Sequence, residues 1–297
     1  MELKVTRYDI EDGIATLTLN RPQRLNSWTG RMHTEYRWIL DQAERDGEVR
    51  VIVVTGEGRG FCSGADTAAL EGHVERGGYD PGTPAELARP GYGVRPEFDA
   101  NFAFQFGMSK PVIAAINGPA AGVGLVMACY ADLRFAAKGA KLTTAHGKLN
   151  LPAEFGLSWL LPRLIGLTRA NELLLSSRIF LTDEAYELGL LNALLEPGEL
   201  MPYTYDYARR LAGTVSPGSL RETKRQIYTD LHRDVGSAVR DADALLEQMT
   251  TEADYREAVS AFMEKRPPKW SGPSYRKDRI YSAARRITAW LKAMHSS

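Results

Sequence analysis

The chain has 297 residues, of which 44% are hydrophobic and 25% charged, and its 37 basic and 37 acidic side chains cancel. This length accommodates one large domain or two modest ones, and the balanced charge disfavours a nucleic-acid-binding protein. Two cysteines, Cys62 and Cys129, are too few for a disulfide framework, so a reducing cytosol is the expected compartment.

The N-terminal segment lacks the basic-then-apolar plan of a signal peptide. The most apolar window, "KPVIAAINGPAAGVGLVMACYADL", is interrupted by Asn117, Gly118 and Pro119. No window reaches the roughly 18 to 20 apolar residues that span a bilayer. We therefore expect a cytoplasmic protein without a membrane partner.

The first half of the chain alternates strands and helices. "VTRYDI" and "IATLTLN" alternate around Asp12-Gly13 and predict a β-hairpin. Helical periodicity over 29–46 predicts a helix, and "VRVIVVTGEG" predicts a strand that is buried on both faces. Residues 71–98 are rich in glycine, proline and charge, which predicts a mobile loop or an irregular lid.

The second half becomes helical. "PVIAAING" (111–118) predicts another buried strand, and "DLRFAA" and "KLTTA" predict two short ones. Helices follow in "LSWLLPRLIG", "TRANELLLSS", "TDEAYELG", "PYTYDYARRLAG" and "SLRETKRQIYTDLHR". A last periodic helix is predicted at about 238–265, stopped by a double proline, and residues 276–297 predict a basic amphipathic helix. The generic prediction is an α/β fold with a helical C-terminal segment.

Two glycine-rich segments are candidates for chemistry. "GRGFCSGAD" (58–66) follows a strand, and "INGPAAGVGLVMA" (116–128) opens a helix. Small residues let the backbone approach a ligand and expose N–H groups, as an oxyanion pocket requires. A tight turn and close helix–strand packing are the structural alternatives. The second segment matches neither a Walker A loop nor the dinucleotide-binding pattern.

Taken together, the motifs are more specific than either one alone. "RPQRLNSW", "GRGFCSGAD", "KPVIAAINGPAAGVG", "DLRFAA" and "LPRLIG" occur in this order and spacing. The set resembles the enoyl-CoA hydratase/isomerase (crotonase) superfamily over about residues 3–266. The resemblance implies a crotonase-like spiral of repeated ββα units with a C-terminal helical oligomerisation segment. It places the spiral core at 1–205, a trimerisation segment at 206–270 and a basic helical tail at 271–297.

The resemblance also implies a substrate and a binding site. The substrate would be an acyl-CoA thioester, so that coenzyme A enters with the substrate and no separate cofactor or metal is expected. The backbone N–H groups of Ala65 and Val123 match the two donors that bind the thioester oxygen. Val123 replaces a glycine often found there, which a backbone donor tolerates. Groups proposed to contact coenzyme A are Leu25, Asn26, Ser63, Asp66, Lys265 and Arg266. The assembly would be a homotrimer or a hexamer.

The acid–base residues depart from the family pattern. Well-studied hydratases use two glutamates, whose positions fall here on Val126 and His146. Neither is a carboxylate, so the two-glutamate mechanism does not transfer. A histidine has an ordinary pKa of roughly 6.5, which suits proton transfer near neutrality. Glu154 matches the place of a catalytic carboxylate in the dienoyl-CoA isomerase branch and of a nucleophilic aspartate in a dehalogenase branch.

Glu154 is therefore predicted as the main acid–base residue, with His146 assisting or orienting. The structural alternatives are that Glu154 caps a helix that begins near Phe155 and that His146 is a polar loop residue. If both alternatives held, the proton donor would be sought in the 71–98 loop, beginning with His73.

The leading function is an enoyl-CoA hydratase-like enzyme of acyl-CoA (fatty acid) metabolism, which stabilises a thioester enolate and adds water across an α,β double bond. An enoyl- or dienoyl-CoA isomerase is nearly as compatible with one dominant carboxylate. Hydrolysis of carbon–carbon bonds in diketones remains open because some members use a histidine near the position of His146. An RNA-binding relative and a non-catalytic subunit, the latter suggested by Val126, also remain open.

Overall fold

The computed structural model describes residues 1–76, 98 and 100–271. Most of the predicted loop at 71–98 and the predicted tail helix at 276–297 lie outside the described residues, as does the side chain of His73. Within the described ranges, no helix is long and apolar enough to cross a membrane.

The main body is a mixed α/β arrangement of two sheets and surrounding helices. The strands are β1 (Thr6–Glu11), β2 (Ile14–Leu19), β3 (Val51–Gly56), β4 (Val112–Ile116), β5 (Ala120–Ala121), β6 (Leu133–Ala137), β7 (Lys141–Thr143), β8 (Phe180–Leu181) and β9 (Ala193–Leu195). The larger sheet has the order β1-β2-β3-β4-β6-β9, and the smaller one has the order β5-β7-β8. β1 and β2 pair antiparallel across Asp12-Gly13, as predicted, and the remaining pairs of the larger sheet are parallel.

The helices follow the predicted order along the chain. They are α1 (Gly30–Arg45), α2 (Thr67–Arg76), α3 (Phe104–Gly107), α4 (Val123–Cys129), α5 (Leu157–Ile165), α6 (Leu167–Ser176), α7 (Thr182–Glu187), α8 (Leu200–Thr214), α9 (Pro217–Asp230), α10 (Val235–Met249) and α11 (Ala253–Glu264). The helix predicted at 29–46 is confirmed as α1, whose first turn is capped by the Thr29 hydroxyl. The expected boundary between residues 205 and 206 falls within α8.

The central strand β3 shows why the sheet needs helices on both sides. All six of its residues are buried. Ile52 and Val54 belong to the large core that includes α1, whereas Val51 and Val53 pack in a second core with residues of α8. Alternate side chains of a strand point to opposite faces, so an apolar run fills both cores. The prediction of a strand buried on both faces is confirmed.

The start of the predicted 71–98 loop is wrong, because residues 71–76 continue helix α2. Asp66 stands before that helix, and its Oδ1 accepts a hydrogen bond from the Ala68 N–H at 3.1 Å. A carboxylate that accepts from a first-turn N–H stabilises a helix start. The cap therefore lets the helix extend through residues whose composition favours a loop.

The single helix predicted at about 238–265 is also wrong, because α10 ends at Met249 and α11 begins at Ala253. The hydroxyl of Thr250 donates to the carbonyl oxygen of Glu247, and that of Thr251 donates to Gln248. Such local bonds compete with the helical backbone pattern. The periodicity of the apolar positions continues across this break, which is why it predicted one helix.

Candidate active site

The two glycine-rich segments lie side by side where residues 62–65 of the first meet residues 119–123 of the second. The Ala121 N–H donates to the carbonyl oxygen of Cys62 at 3.0 Å. A Cβ atom on Gly64 would lie only 3.1 Å from the carbonyl oxygen of Ala121. The fold therefore brings together the two segments that carry the predicted backbone donors.

The backbone N–H groups of Ala65 and Val123 are both available. Trp28 pairs with Ala65 in a bridge where the Trp28 N–H donates to Gly64 and the Asp66 N–H donates to Trp28. This pattern leaves the Ala65 N–H unused, and Val123, as the first residue of α4, has no intrahelical acceptor. Within the described residues, neither N–H group has a hydrogen-bond acceptor. Both can therefore donate to a bound oxygen.

Glycine is required on both sides of Val123. Gly122 has a φ of +47° and a ψ of −121°, a conformation that favours glycine. A Cβ atom on Gly124 would lie 2.2 Å from the Cys62 carbonyl oxygen, which is a steric clash. The structural alternative of close packing is therefore correct, and it occurs together with N–H groups that have no acceptor among the described residues.

Glu154 lies beside the start of α4. A Cβ atom on Gly122 would be 3.8 Å from the Glu154 Oε2 atom. The carboxyl group has no hydrogen-bond or ion-pair partner within the described parts of the chain, and desolvation raises its pKa above that of an ordinary glutamate. A half-buried carboxyl group without a partner is suited to receive and release a proton.

The capping alternative for Glu154 does not fit the structure. Helix α5 begins at Leu157, and its N-cap residue is Gly156, which offers no side chain. No hydrogen bond of the described residues joins the Glu154 carboxylate to the first turn of α5. The fixed position of Glu154 next to α4 therefore needs another explanation.

The turn at Phe155, next to Glu154, is hydrogen-bonded to the residue that follows α4. Phe155 has a left-handed conformation, with a φ of +49°, which is unusual for a bulky residue. The Tyr130 hydroxyl, directly after α4, donates to the Phe155 carbonyl oxygen at 2.7 Å. The Phe155 ring also packs edge-on against Phe102, with the ring centroids 5.1 Å apart. The sequence analysis did not single out Tyr130. Its role becomes visible only in the fold, which brings its hydroxyl to Phe155, 25 residues further along the chain.

His146 begins a short 3-10 turn after β7 and is buried, at 7% exposure. Its backbone N–H donates to the carbonyl oxygen of Thr144. That oxygen lies 4.0 Å from the Cβ position of Gly122. His146 is thus two residues from the backbone that borders the site. No hydrogen bond among the described residues joins its ring to Glu154, so its assisting role stays a prediction. Val126 is buried in α4, and its aliphatic side chain has no group that can transfer a proton.

Three of the groups predicted to contact coenzyme A, Leu25, Asn26 and Ser63, make hydrogen bonds within the protein. The Ser63 N–H donates to the Leu25 carbonyl oxygen at 3.0 Å. The buried Asn26 amide donates to the carbonyl oxygens of Glu57 and Gly60. The structure therefore brings Leu25 and Ser63 together, and the Asn26 side chain fixes their loop.

The Asp66 carboxylate is similarly occupied. It accepts hydrogen bonds from the Ser27 hydroxyl at 2.7 Å and from the Arg21 guanidinium at 2.9 Å. These contacts, with the Ser27 bond the strongest contributor, hold the pKa of Asp66 below its ordinary value. Its side chain serves the loop and the start of α2, so a contact with coenzyme A would fall to nearby main-chain groups.

The two basic residues at the end of α11 differ from each other. The Arg266 guanidinium pairs with Glu257 at 2.5 Å and with Glu264 at 2.6 Å. The Lys265 side chain is exposed and has no partner in the described part of the chain. Neither residue is joined to the Ala65–Val123 region by a hydrogen bond of the described residues. A contact with a phosphate of coenzyme A stays a prediction, and it suits Lys265 better than Arg266.

Two free backbone donors beside a desolvated carboxyl group form an arrangement that can stabilise an oxyanion and move a proton. The two sheets and their surrounding helices place the chain in the α/β class. The chain belongs to the enoyl-CoA hydratase/isomerase family, whose model matches residues 9–273. The resemblance to this superfamily and the prediction of an enoyl-CoA hydratase-like enzyme are confirmed.

Individual relatives support this membership over nearly the whole chain. The 1,2-epoxyphenylacetyl-CoA isomerase of Escherichia coli K12 is 36% identical, over 89% of this chain and 97% of its own. The short-chain-enoyl-CoA hydratase of Clostridium acetobutylicum is 30% identical, over 90% of this chain and 97% of its own. The crystal structure of an enoyl-CoA hydratase from Mycobacterium tuberculosis H37Rv superposes with a TM-score of 0.77 at 28% identity, covering 91% of this chain and 99% of that one. The predicted crotonase fold is confirmed.

Proposed function

We propose that this enzyme adds water across the α,β double bond of an enoyl-CoA thioester, with Glu154 as the acid–base residue. The observation that carries this proposal is the half-buried, unpartnered Glu154 carboxyl group beside the start of α4. The family membership supports the substrate class, since relatives are named as enzymes of CoA thioesters.

In the proposed reaction, the N–H groups of Ala65 and Val123 donate to the thioester oxygen. Negative charge builds on this oxygen when a nucleophile adds to the β carbon, and the two hydrogen bonds strengthen as it does. Removing one such donor in comparable sites costs roughly 3–4 kcal/mol of transition-state stabilisation. Because the donors belong to the main chain, they hold their positions without any reorganisation of side chains.

Glu154 would transfer the proton. Its carboxylate takes a proton from water as the water oxygen bonds to the β carbon, and the same proton then passes to the α carbon. One O–H bond of water and the π bond between the α and β carbons break, while one C–O and one C–H bond form. The raised pKa makes the Glu154 carboxylate a stronger base than an ordinary glutamate. Val126 contributes no proton transfer, so one carboxyl group serves both steps.

Product analysis tests the proposal. Incubation with trans-2-butenoyl-CoA in ¹⁸O-labelled water should yield 3-hydroxybutanoyl-CoA that carries the label on C3. The absence of this product with every enoyl-CoA tested, from a folded protein, would contradict the hydratase assignment.

An isomerase is the second candidate, and a specific observation favours it. Movement of a double bond needs one base that removes a proton at one carbon and returns it at another, and the desolvated Glu154 carboxyl group can serve as that base. The relative from Escherichia coli is named as an isomerase. Conversion of trans-3-hexenoyl-CoA to the 2-enoyl isomer, without any hydroxyacyl product, would identify this activity instead.

We infer an assisting role for His146. Its burial and its place after β7, next to the Thr144 carbonyl group, support this role. His146→Ala should then reduce turnover less than Glu154→Gln does and should change the pH dependence of the rate. An unchanged rate and pH profile would assign His146 to the loop alone.

We propose that the coenzyme A moiety binds through main-chain groups near Leu25, Asn26, Ser63 and Asp66, with Lys265 near a phosphate. Thioester binding should raise the melting temperature, because a ligand of the folded state stabilises it by mass action. The free acid without coenzyme A should raise the melting temperature less. Equal shifts for the thioester and the free acid would contradict coenzyme A recognition.

A homotrimer, or a hexamer of paired trimers, is our proposal for the assembly. Helices α10 and α11 expose large apolar side chains that a second copy would cover, among them Val239, Leu246, Val259, Phe262 and Met263. Sedimentation at micromolar concentration should give a trimer or hexamer. A monomer under these conditions would contradict the proposal.

A further inference from the structure

A cavity of about 570 Å³ lies between α3, α5 and the end of α9. Its volume is within the usual range for a small-molecule site. Aromatic rings dominate its walls, which include Phe106, Tyr130, Trp159, Tyr228 and His232.

The cavity borders the turn that carries Glu154. Gly156, two residues beyond Glu154, lines it, and so does Tyr130, whose hydroxyl donates to the intervening Phe155. Helix α4 connects Val123 at its first residue to Tyr130 just after its end, a span of about 10 Å by the helical rise per residue. An acyl group held by its oxygen at Val123 must therefore extend about 10 Å to come level with Tyr130.

The rings give the cavity flat walls. Phe106 and Tyr228 stack with their centroids 3.8 Å apart and their planes at 14°. Trp159 and His232 stack at 5.5 Å and 16°. Stacked and edge-on contacts with such walls favour a further aromatic ring over a saturated chain of the same area.

The wall formed by α9 is anchored to the body of the protein. The Asp132 carboxylate accepts hydrogen bonds from the Lys224 ammonium and from the Tyr228 hydroxyl, each at 2.7 Å. The same carboxylate accepts from the Val112 N–H at the start of β4. Because Lys224 and Tyr228 lie one turn apart on α9, a single carboxylate fixes this helix, and the cavity is formed before a ligand binds.

We infer that this cavity holds the distal part of the acyl group and selects thioesters whose acyl chain ends in an aromatic ring. This inference rests on the proposed function, because it takes the thioester oxygen to lie at Ala65 and Val123. Binding of saturated thioesters separates the two claims, since such ligands occupy the cavity without reacting.

The test compares the dissociation constants of 5-phenylpentanoyl-CoA, 5-cyclohexylpentanoyl-CoA and octanoyl-CoA, measured by calorimetry on the full chain. The phenyl thioester should bind about tenfold more tightly than octanoyl-CoA, and more tightly than its cyclohexyl analogue, because only the aromatic ring gains the stacking contacts. Equal affinities for the phenyl and cyclohexyl thioesters would overturn the aromatic selection. Failure of hydration with this preference intact would contradict the proposed reaction alone.

Variants locate the preference in the cavity. Trp159→Leu and Phe106→Leu should each reduce the preference for the phenyl thioester several-fold and leave the affinity for butanoyl-CoA unchanged. Trp270→Leu is the matched control, since this indole lies outside the cavity and donates to the Gly213 carbonyl oxygen. An equal loss of affinity for butanoyl-CoA and the phenyl thioester in both cavity variants would contradict the inference.

Discussion

The two halves of the candidate site are built from different parts of the chain. The proposed oxyanion half consists of main-chain N–H groups at Ala65 and Val123, positioned by small residues that pack against one another. The proposed acid–base half consists of one side chain, Glu154, on a turn whose Phe155 carbonyl oxygen accepts from the Tyr130 hydroxyl. A side-chain substitution at Ala65 or Val123 leaves the backbone N–H group in place. A substitution of Glu154, in contrast, removes the carboxyl group.

This difference explains how the site departs from the pattern of well-studied hydratases. Replacing a glutamate by Val126 removes a proton-transfer group, but it leaves the backbone of α4 and its first N–H group in place. In the proposed function, oxyanion binding persists while Glu154 supplies the proton transfer from another position. Substitutions in the two halves should accordingly affect different measured quantities.

The largest expected effect comes from Glu154→Gln. Turnover should fall by roughly a hundredfold or more, within the usual range for a general acid–base group, because the amide cannot accept the proton. The dissociation constant of a saturated CoA thioester should stay within about twofold, as the amide keeps the size of the side chain. The control is Glu187→Gln, at an exposed position of α7, which should retain full activity. Normal turnover in the folded Glu154→Gln protein would assign the proton transfer to another residue.

Gly124→Ala should damage the oxyanion half instead. The added Cβ would lie 2.2 Å from the Cys62 carbonyl oxygen, so the start of α4 must shift. The free energy of unfolding should fall by about 1–3 kcal/mol, the usual cost of overpacking, and thioester binding should weaken with it. Chemical denaturation and calorimetry measure the two quantities.

Gly213→Ala is the matched control for this prediction. Gly213 lies in α8, and among the described residues no atom outside its own stretch of helix lies within 4 Å of its Cβ position. Alanine also favours a helix more than glycine does. Its stability should be unchanged or slightly higher. Equal stability of the Gly124→Ala protein and the wild type would show that the close approach is not required.

Tyr130→Phe should weaken the support of the acid–base half. The change removes the hydrogen bond to Phe155 and costs about 1 kcal/mol at the turn, which corresponds to a several-fold loss of kcat. The KM for butenoyl-CoA should change little, because this acyl group is too short to come level with Tyr130. Tyr205→Phe, which removes a hydroxyl that contacts Thr16 instead, is the control. A loss confined to KM would argue against positioning of Glu154 by Tyr130.

The smallest expected effect concerns stability and pH. Burial raises the folded-state pKa of Glu154, so the ionised form is disfavoured by folding. At low pH the carboxyl group is protonated, and its burial carries no charge penalty. The free energy of unfolding falls as the pH rises through the raised folded-state pKa of Glu154. Glu154→Gln should therefore raise the melting temperature at pH 7, and this gain should disappear in acid. A lower melting temperature for the variant at pH 7 would contradict the desolvation of this carboxyl group.

The sequence predicted those features that depend on neighbouring residues. The Asp12-Gly13 hairpin and the doubly buried strand β3 follow from local patterns, and both are confirmed. The break between α10 and α11 was missed because threonine side chains bond to carbonyl groups one turn back without interrupting the apolar period.

The support of the acid–base half was not predictable in the same way. The hydrogen bond from the Tyr130 hydroxyl to the Phe155 carbonyl oxygen joins residues that are 25 positions apart. Because its acceptor is a main-chain group, the residue types do not predict it. Similarly, nothing in the local pattern shows that Glu257 and Glu264 occupy the guanidinium group of Arg266. The motifs predicted Glu154 as the acid–base residue, but only the packing shows that its carboxyl group has no partner in the described part of the chain.

In the proposed reaction, the backbone donors hold an enolate while Glu154 moves the proton at the α carbon. Exchange of the α protons of butanoyl-CoA in D₂O, followed by mass spectrometry, tests it without any double bond. The wild-type protein should incorporate deuterium at C2, and Glu154→Gln should do so at least about a hundredfold more slowly while it binds the thioester equally well. Exchange by Glu154→Gln at the wild-type rate would contradict the account.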